Sequence, residues 1–232
     1  MPRRDRGNTV IELRDASYGY AGRMLLSGMT LTLPPGSFHF LTGPSGAGKT
    51  TFLKLCYGEL RPVSGHLSAF GEDLARLSRD GLARMRRRIG IVHQDCEFLD
   101  HLPLSENLAL PLVVAGRPVV DDELRELLAW VGLRSRADAM PPELSGGERQ
   151  RGALARAIVT SPEIILADEP TGNLDWEMSQ RLLSLLIELN RMGKTILIAT
   201  HDLNLIRTAK AQVAARVLRI KDRQLQLAGA DL

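Results

Sequence analysis

The chain has 232 residues, 44% of them hydrophobic and 25% charged, with a net charge of +3 and a pI near 9.1. That balance excludes a low-complexity or largely disordered chain and is too weakly basic to argue for nucleic acid, although it suits docking at an anionic membrane surface. The length predicts one domain, spanning 9–228, and two distant cysteines without metal-ligand spacing, Cys56 and Cys96, predict packed thiols in a reducing cytoplasm rather than a disulfide.

In chain order, Met1-Pro2-Arg3-Arg4-Asp5-Arg6 has no apolar segment behind it, so residues 1–8 read as a loose basic arm and not as a secretory signal. Val10–Ser17 and Met29–Leu33 alternate apolar and polar residues and read as strands of an antiparallel edge layer, the second broken by Pro34-Pro35-Gly36. Phe38-His39-Phe40-Leu41-Thr42 runs as a strand into Gly43-Pro44-Ser45-Gly46-Ala47-Gly48-Lys49-Thr50, and Thr50–Tyr57 carries helix formers until Gly58 and Pro62 stop it. Strand, glycine-rich loop and helix make a P-loop: backbone N–H groups wrap a polyphosphate, Lys49 reaches the β/γ-phosphates, and the Thr50 hydroxyl binds Mg²⁺.

The run Arg84-Met85-Arg86-Arg87-Arg88 reads as a solvated face before a strand, with at most a weak tie to phospholipid headgroups. Leu108–Ala115 is the most apolar stretch near the middle; it contains Pro111 and falls far short of the roughly 20 residues of a membrane span, so membrane work requires another chain. Asp121 is placed to cap a helix with Leu124, Leu127, Leu128 and Val131 on one face and Gly132 at its end. Residues 95–156 read as an inserted helical subdomain between core segments 9–94 and 157–228. Near its end, Leu144-Ser145-Gly146-Gly147-Glu148-Arg149-Gln150 spells a capping box, with Ser145 at the N-cap and Glu148 at N3.

Glu163–Ala167 and Thr195–Ala199 are short, almost wholly apolar runs, as central parallel strands require. Asp168 and Glu169 end the first and His201 follows the second, at the strand ends where open parallel sheets bind ligands. In this pair the aspartate holds Mg²⁺ through its water shell and the glutamate polarises the attacking water. Glu177–Met192 has Met178, Leu182, Leu185, Leu186 and Leu189 at helical spacing, which is a core face, and ends at Gly193 as a C′ residue. No internal repeat or long linker divides the chain.

The P-loop, Leu144-Ser145-Gly146-Gly147-Glu148, Asp168-Glu169, Asn173-Leu174-Asp175 and His201 occur in the order found in ATP-binding subunits of ABC transporters, and the chain resembles that family over nearly its whole length. The resemblance implies an α/β fold: a RecA-like P-loop NTPase core, an antiparallel β edge layer and an inserted α-helical subdomain, with ATP and Mg²⁺ as ligands. Two subunits would hold two ATP molecules head to tail, so that Ser145, with Gly146, Gly147 and Glu148, meets the γ-phosphate on the P-loop of the other subunit. A helix start suits that contact, since its unpaired N–H groups and positive dipole end attract phosphate and the glycines permit close approach. On the same ground Gln94 is the Q-loop residue that reaches Mg²⁺ and the attacking water, and the loop after it touches a membrane partner.

His201 would contact the γ-phosphate, and Asp175 would lie in the loop that crosses the dimer interface. The nucleotide set is completed by Gly43 to Thr51, Thr51 included, and by Tyr20 stacking on adenine, with Tyr18 the second candidate and edge packing the plain reading of either ring. Glu169, His201, Lys49 and Gln94 form the expected catalytic set, and Thr50, Gln94 and Asp168 the metal set. Two positions depart from the pattern. Relatives carry a larger residue at Gly152, where glycine inside a helix costs about 1 kcal/mol relative to alanine. Many have Phe at His93, which is assigned no chemistry.

Ala167-Asp168-Glu169-Pro170-Thr171-Gly172-Asn173-Leu174-Asp175 looks like the branch that holds cell-division ATPases together with lipoprotein-release and macrolide-type exporters. Leu53-Lys54-Leu55, Arg61-Pro62 with Gly65, Asn107–Pro111 with Gly116, and Leu189-Asn190 with Gly193 leading to Ala199-Thr200-His201-Asp202-Leu203 favour the cell-division group. That implies a homodimeric ATPase, peripheral on the cytoplasmic face of the bacterial cell membrane and bound to an FtsX-like permease-type protein. It would act indirectly through periplasmic regulators of peptidoglycan hydrolysis, without nucleic acid. The motor of a lipoprotein-release or macrolide-type exporter is the alternative. A soluble ABC ATPase of DNA repair or translation is disfavoured because the chain lacks coiled-coil insertions and a second cassette. The motif Leu144–Gln150 and the lack of an Asn-Lys-x-Asp guanine reader disfavour a plain P-loop kinase or GTPase, and the joint presence of Lys49, Asp168, Glu169 and His201 disfavours a noncatalytic scaffold.

Overall fold

This computed structural model describes residues 9–172 and 174–228; the expected basic arm at 1–8 and Asn173 lie outside the described residues. Strands β1 (Ile11–Tyr20) and β2 (Arg23–Leu33) form an antiparallel hairpin longer than the alternation predicts. Register shifts at Leu13/Ala16, Ala16/Tyr18 and Tyr18/Gly19, with Asp15 at φ 49°, break the two-residue period that alternation depends on. β3 (Phe38–Thr42) feeds the P-loop and α1 (Lys49–Cys56). β4 (Ser64–Ala69) and β5 (Glu72–Asp73) complete a four-stranded antiparallel sheet of order β2-β1-β4-β5.

α2 (Arg79–Arg86) takes in the first part of the arginine run. Arg86 donates to the Tyr57 and Gly58 carbonyls and Arg88 pairs with Glu163 at 2.6 Å, so these two side chains fasten elements together. β6 (Ile89–Val92) is followed by α3 (Leu104–Val114), α4 (Asp121–Trp130) and α5 (Gly146–Ile158). The apolar stretch around Leu108 is thus helical, with Pro111 inside it. Asp121 does not cap α4: Val120 occupies the N-cap, and Asp121, Asp122 and Glu123 fill the first turn, where negative charge meets the positive end of the helix dipole. Gly152 on α5 has a packing reason, because a Cβ there would lie 3.0 Å from Leu104 Cδ1 and 3.3 Å from Phe98 Cζ.

β7 (Ile164–Asp168), α6 (Trp176–Arg191), β8 (Thr195–Ala199), α7 (Leu203–Lys210), β9 (Ala215–Lys221) and β10 (Gln224–Leu227) finish the chain. The six-stranded sheet has the order β10-β9-β3-β8-β7-β6, parallel except for β10. Every residue of β3, β7 and β8 is buried, because both faces are covered. On one face Phe38, Phe40, Ile165, Ile196 and Ile198 pack with the apolar sides of α3 to α6; on the other, Leu41, Leu166 and Leu197 pack with α1 and the antiparallel sheet. Burial brings Asp168, Thr200 and Lys49 together at one end of this sheet. Among the described residues no helix is long and apolar enough to cross a membrane. Both cysteines are free, Cys56 buried and Cys96 half-buried; burial pushes both thiols up, that of Cys96 to about 11.

His39 on β3 is 1% exposed, and its Nδ1 lacks a hydrogen-bond partner. Burial first, and Arg216 on the paired β9 second, lower its pKa to about 4. The folded state therefore keeps the ring neutral, while the unfolded chain takes up a proton below the ordinary value of 6.5. Stability from this group is complete above pH 6.5 and is lost as pH falls towards 4, by about 3 kcal/mol in total. Denaturant unfolding from pH 7 to 4 should show wild type losing about 2–3 kcal/mol more than His39→Leu; parallel profiles would contradict this.

Candidate functional site

The P-loop gets its shape from close packing. A Cβ on Gly43 would lie 2.9 Å from the Ile220 carbonyl, and Gly48 is the left-handed N-cap of α1 at φ 100°. No side chain caps α1 and its first turn carries no acidic residue, so its leading amides are open to an anion. Lys49 is 9% exposed and folds back, donating to the Gly43 carbonyl at 3.1 Å and pairing with Glu169 at 3.4 Å. Thr50 and Thr51 follow on the same helix start.

Asp168 is the last residue of the fully buried β7, and Glu169 directly after it has φ 43°, a left-handed conformation that costs a residue with a Cβ roughly 1–2 kcal/mol. The turn is fixed by Glu169 N–H donating to the Ala199 carbonyl at 2.8 Å and Gly172 N–H donating to Glu169 O at 3.1 Å. Strain of this kind persists where surrounding bonds over-determine the backbone, and here it aims the carboxylate at Lys49 and His201. His201 Nδ1 lies 3.0 Å from Glu169 Oε1. An ionised carboxylate only accepts, so the hydrogen bond puts a proton on Nδ1. Glu169 and His201 border a cavity of about 440 Å³ that continues to the exposed Trp176 and Leu203.

Burial raises the Asp168 pKa, while the hydrogen bond from Thr50 pulls it down. Asp168 Oδ1 is buried without a partner. A bare carboxylate oxygen beside a threonine hydroxyl is an oxygen donor set suited to Mg²⁺. Among the described residues no group of three or more His, Cys, Asp or Glu is arranged to hold a metal ion, so Mg²⁺ here would share its shell with water and phosphate oxygens.

The other expected residues stand apart. Gln94 is exposed just beyond β6, and its carbonyl accepts a bond from Gln150 on α5 at 3.2 Å. Ser145 caps α5, accepting from Glu148 N–H at 3.3 Å, while the Glu148 carboxylate accepts from Ser145 N–H at 2.8 Å. Arg136 holds Glu148 at 2.8 Å and, as the main cause, lowers its pKa to about 2. The capping box therefore occupies the Ser145 amide; the Ser145 hydroxyl hydrogen and the Gly146 and Gly147 amides are the donors that remain. Asp175 caps α6 by accepting from Met178 N–H at 2.8 Å. None of these contacts reaches the P-loop of the same chain.

Tyr20, 78% exposed at the end of β1, borders a pocket of about 590 Å³ whose floor includes Pro44, Gly46 and Ala47. Tyr18 packs against the hydrophobic core, and His93 is exposed with its ring nearly perpendicular to that of Tyr57. Two polar residues that sequence motifs include, without a role, hold backbone together. Gln150 ties α5 to the Q-loop backbone, and the fully buried Asn107 holds the loop before α3 by accepting from Leu99 N–H and donating to the Leu99, Leu102 and Pro103 carbonyls.

Known proteins share this fold. The ABC transporter family model matches residues 26–172. The cell division ATP-binding protein FtsE of Haemophilus influenzae is 47% identical over 201 residues, covering 85% of this chain and 92% of that protein. FtsE of Escherichia coli strain K12 is 43% identical over 93% of this chain and 97% of its own length. Among solved structures, the dimeric post-hydrolysis state of the ATP-binding cassette MJ0796 bound to ADP and Pi superposes with a TM-score of 0.83 at 31% identity, covering 95% of this chain and all 100% of that one. The cbiO1 protein of Clostridium perfringens, part of the ABC transporter complex cbiONQ, matches with a TM-score of 0.83 at 26% identity over 96% of this chain and 88% of that one.

Proposed function

Because this chain belongs to the ABC transporter family, with FtsE cell-division proteins among its relatives, we propose that two copies close head to tail around ATP and pass that closure to an FtsX-like membrane protein. The chain is an ATP-hydrolysing ATPase of FtsE type. The observation that carries the residue assignment is the convergence of Lys49, Glu169 and His201, at 3.4 and 3.0 Å, beside a helix start with open amides.

On this reading the P-loop amides and Lys49 hold the β- and γ-phosphates. Lys49 exchanges Glu169 for phosphate oxygens, which frees the carboxylate. Glu169 then orients a water molecule and accepts its proton as the water oxygen bonds to the γ-phosphorus and the bond to ADP breaks. His201 keeps Glu169 in place by donating from Nδ1, beside the γ-phosphate. Thr50, Asp168 and Gln94 would hold Mg²⁺, which when bound supplies positive charge to the phosphate oxygens. In the partner copy, the Ser145 hydroxyl and the Gly146 and Gly147 amides close over the γ-phosphate, and Asp175 lies in the loop between copies.

A groove of about 450 Å³ is lined by residues of α2, β6, α3 and α5, with His93, Pro111, Arg156 and the exposed Val114 on its walls. It supports docking of the permease-type partner next to Gln94, and hence a peripheral position on the cytoplasmic face of the cell membrane. Peptidoglycan hydrolysis would then be regulated through the partner's periplasmic side. The test is capture of Glu169→Gln protein with ATP and Mg²⁺ from detergent-solubilised membranes, with mass spectrometry of what co-purifies. An FtsX-like protein is the expected result. A lipoprotein-release or macrolide-type permease would make the chain an export motor, and recovery of no membrane protein would overturn the membrane reading.

A further inference from the structure

The β9–β10 hairpin lines the pocket that Tyr20 borders, and no feature of the hydrolytic site accounts for it. Arg219, Lys221 and Arg223 border the pocket from that hairpin, and Arg23 borders it from the tip of the β1–β2 hairpin. The two hairpins are joined, because Ser27 N–H donates to the Arg223 carbonyl at 2.7 Å. β9 also abuts the P-loop, where the Ile220 carbonyl leaves no room for a Cβ on Gly43. The turn is therefore fixed relative to both the phosphate loop and Tyr20.

Its backbone is costly. Asp222 and Arg223 have φ of 50° and 65°, the conformation for which two-residue hairpins favour Asn-Gly or Asp-Gly. Glycine at 223 would remove that strain, yet the chain carries an arginine there, at the pocket edge. An unfavourable conformation kept beside a ligand site points to a role for the side chain. The phosphates already have Lys49 and the α1 amides, whereas Tyr20 is the one aromatic ring among the residues that line the outer pocket. A planar guanidinium stacks on aromatic faces and draws favourable energy from their electrons.

We propose that Arg223 is a nucleoside-contacting residue, which closes over the purine ring of the nucleotide from the side opposite Tyr20. The proposal rests on the ATP-site reading above. It is tested on the full chain by calorimetric titration with ATP and, separately, with inorganic tripolyphosphate, alongside the melting temperature of the ligand-free protein. Arg223→Gly should weaken ATP binding about three- to tenfold, leave tripolyphosphate affinity unchanged, and leave the melting temperature unchanged or raised. Arg223→Asn, a second residue tolerated in this conformation, should reproduce the loss. Unchanged ATP affinity in both variants would overturn the proposal, and so would an equal loss for both probes, which would assign Arg223 to the phosphates. If wild type bound neither probe, the ATP-site reading itself would fail, a result distinct from wild-type binding that survives loss of Arg223.

Discussion

Glu169→Gln should bind ATP normally, hydrolyse it about 10²–10⁴-fold more slowly, and accumulate as an ATP-bound dimer. The amide keeps the shape of the carboxylate and the same left-handed backbone, so the Ala199 and Gly172 hydrogen bonds that fix the turn remain. What it loses is the negative charge that pairs with Lys49 and that, on the proposed mechanism, accepts the water proton. Both side chains of that pair are nearly buried, at 12% and 10% exposure, so the charge is poorly replaced by solvent. Phosphate release and light scattering measured on the same sample check both halves of the expectation. Turnover at the wild-type rate would remove Glu169 from the role of general base.

Lys49→Ala should lose at least about 30-fold in ATP affinity, because removing one partner of a buried, hydrogen-bonded charge pair costs about 2–5 kcal/mol. Lys49 is 9% exposed and in the free protein satisfies the Gly43 carbonyl and Glu169, so its removal also leaves Glu169 unpaired except for His201. The two variants thus fail differently: one binds without turning over, the other does not bind. Titration with ATP separates them, and near wild-type affinity in Lys49→Ala would contradict the P-loop assignment.

The parts of the site that were legible in the sequence are those whose chemistry is local. A glycine-rich loop between strand and helix, an acidic pair ending an apolar run, and Ser145 three residues before Glu148 each state their geometry within a few positions. The centre of the fold was legible for the same reason, since β3, β7 and β8 are continuous apolar runs covered on both faces. Legibility ended where structure depends on distant partners. The register shifts of β1 erased its alternation, Pro111 masked α3, and the cap of α4 fell on Val120 rather than Asp121. The left-handed backbones of Glu169 and Arg223 had no signal at all, because neither residue announces positive φ as glycine does. Ser145 was legible as the cap of α5, and because the cap uses the hydroxyl as acceptor its hydrogen stays free for the proposed phosphate contact.

Ser145 and Gly146 are exposed, and none of their contacts reaches the P-loop of their own chain, which leaves a second copy as the route by which both join one site. The most direct test is the ATPase rate of Ser145→Arg and Lys49→Ala proteins mixed in equal amounts. Each alone should be inactive, while a mixed dimer carries one site with an intact P-loop and an intact Ser145. With random pairing the mixture should recover about a quarter of wild-type activity. No recovery from mixed dimers demonstrated to form would contradict the head-to-tail site.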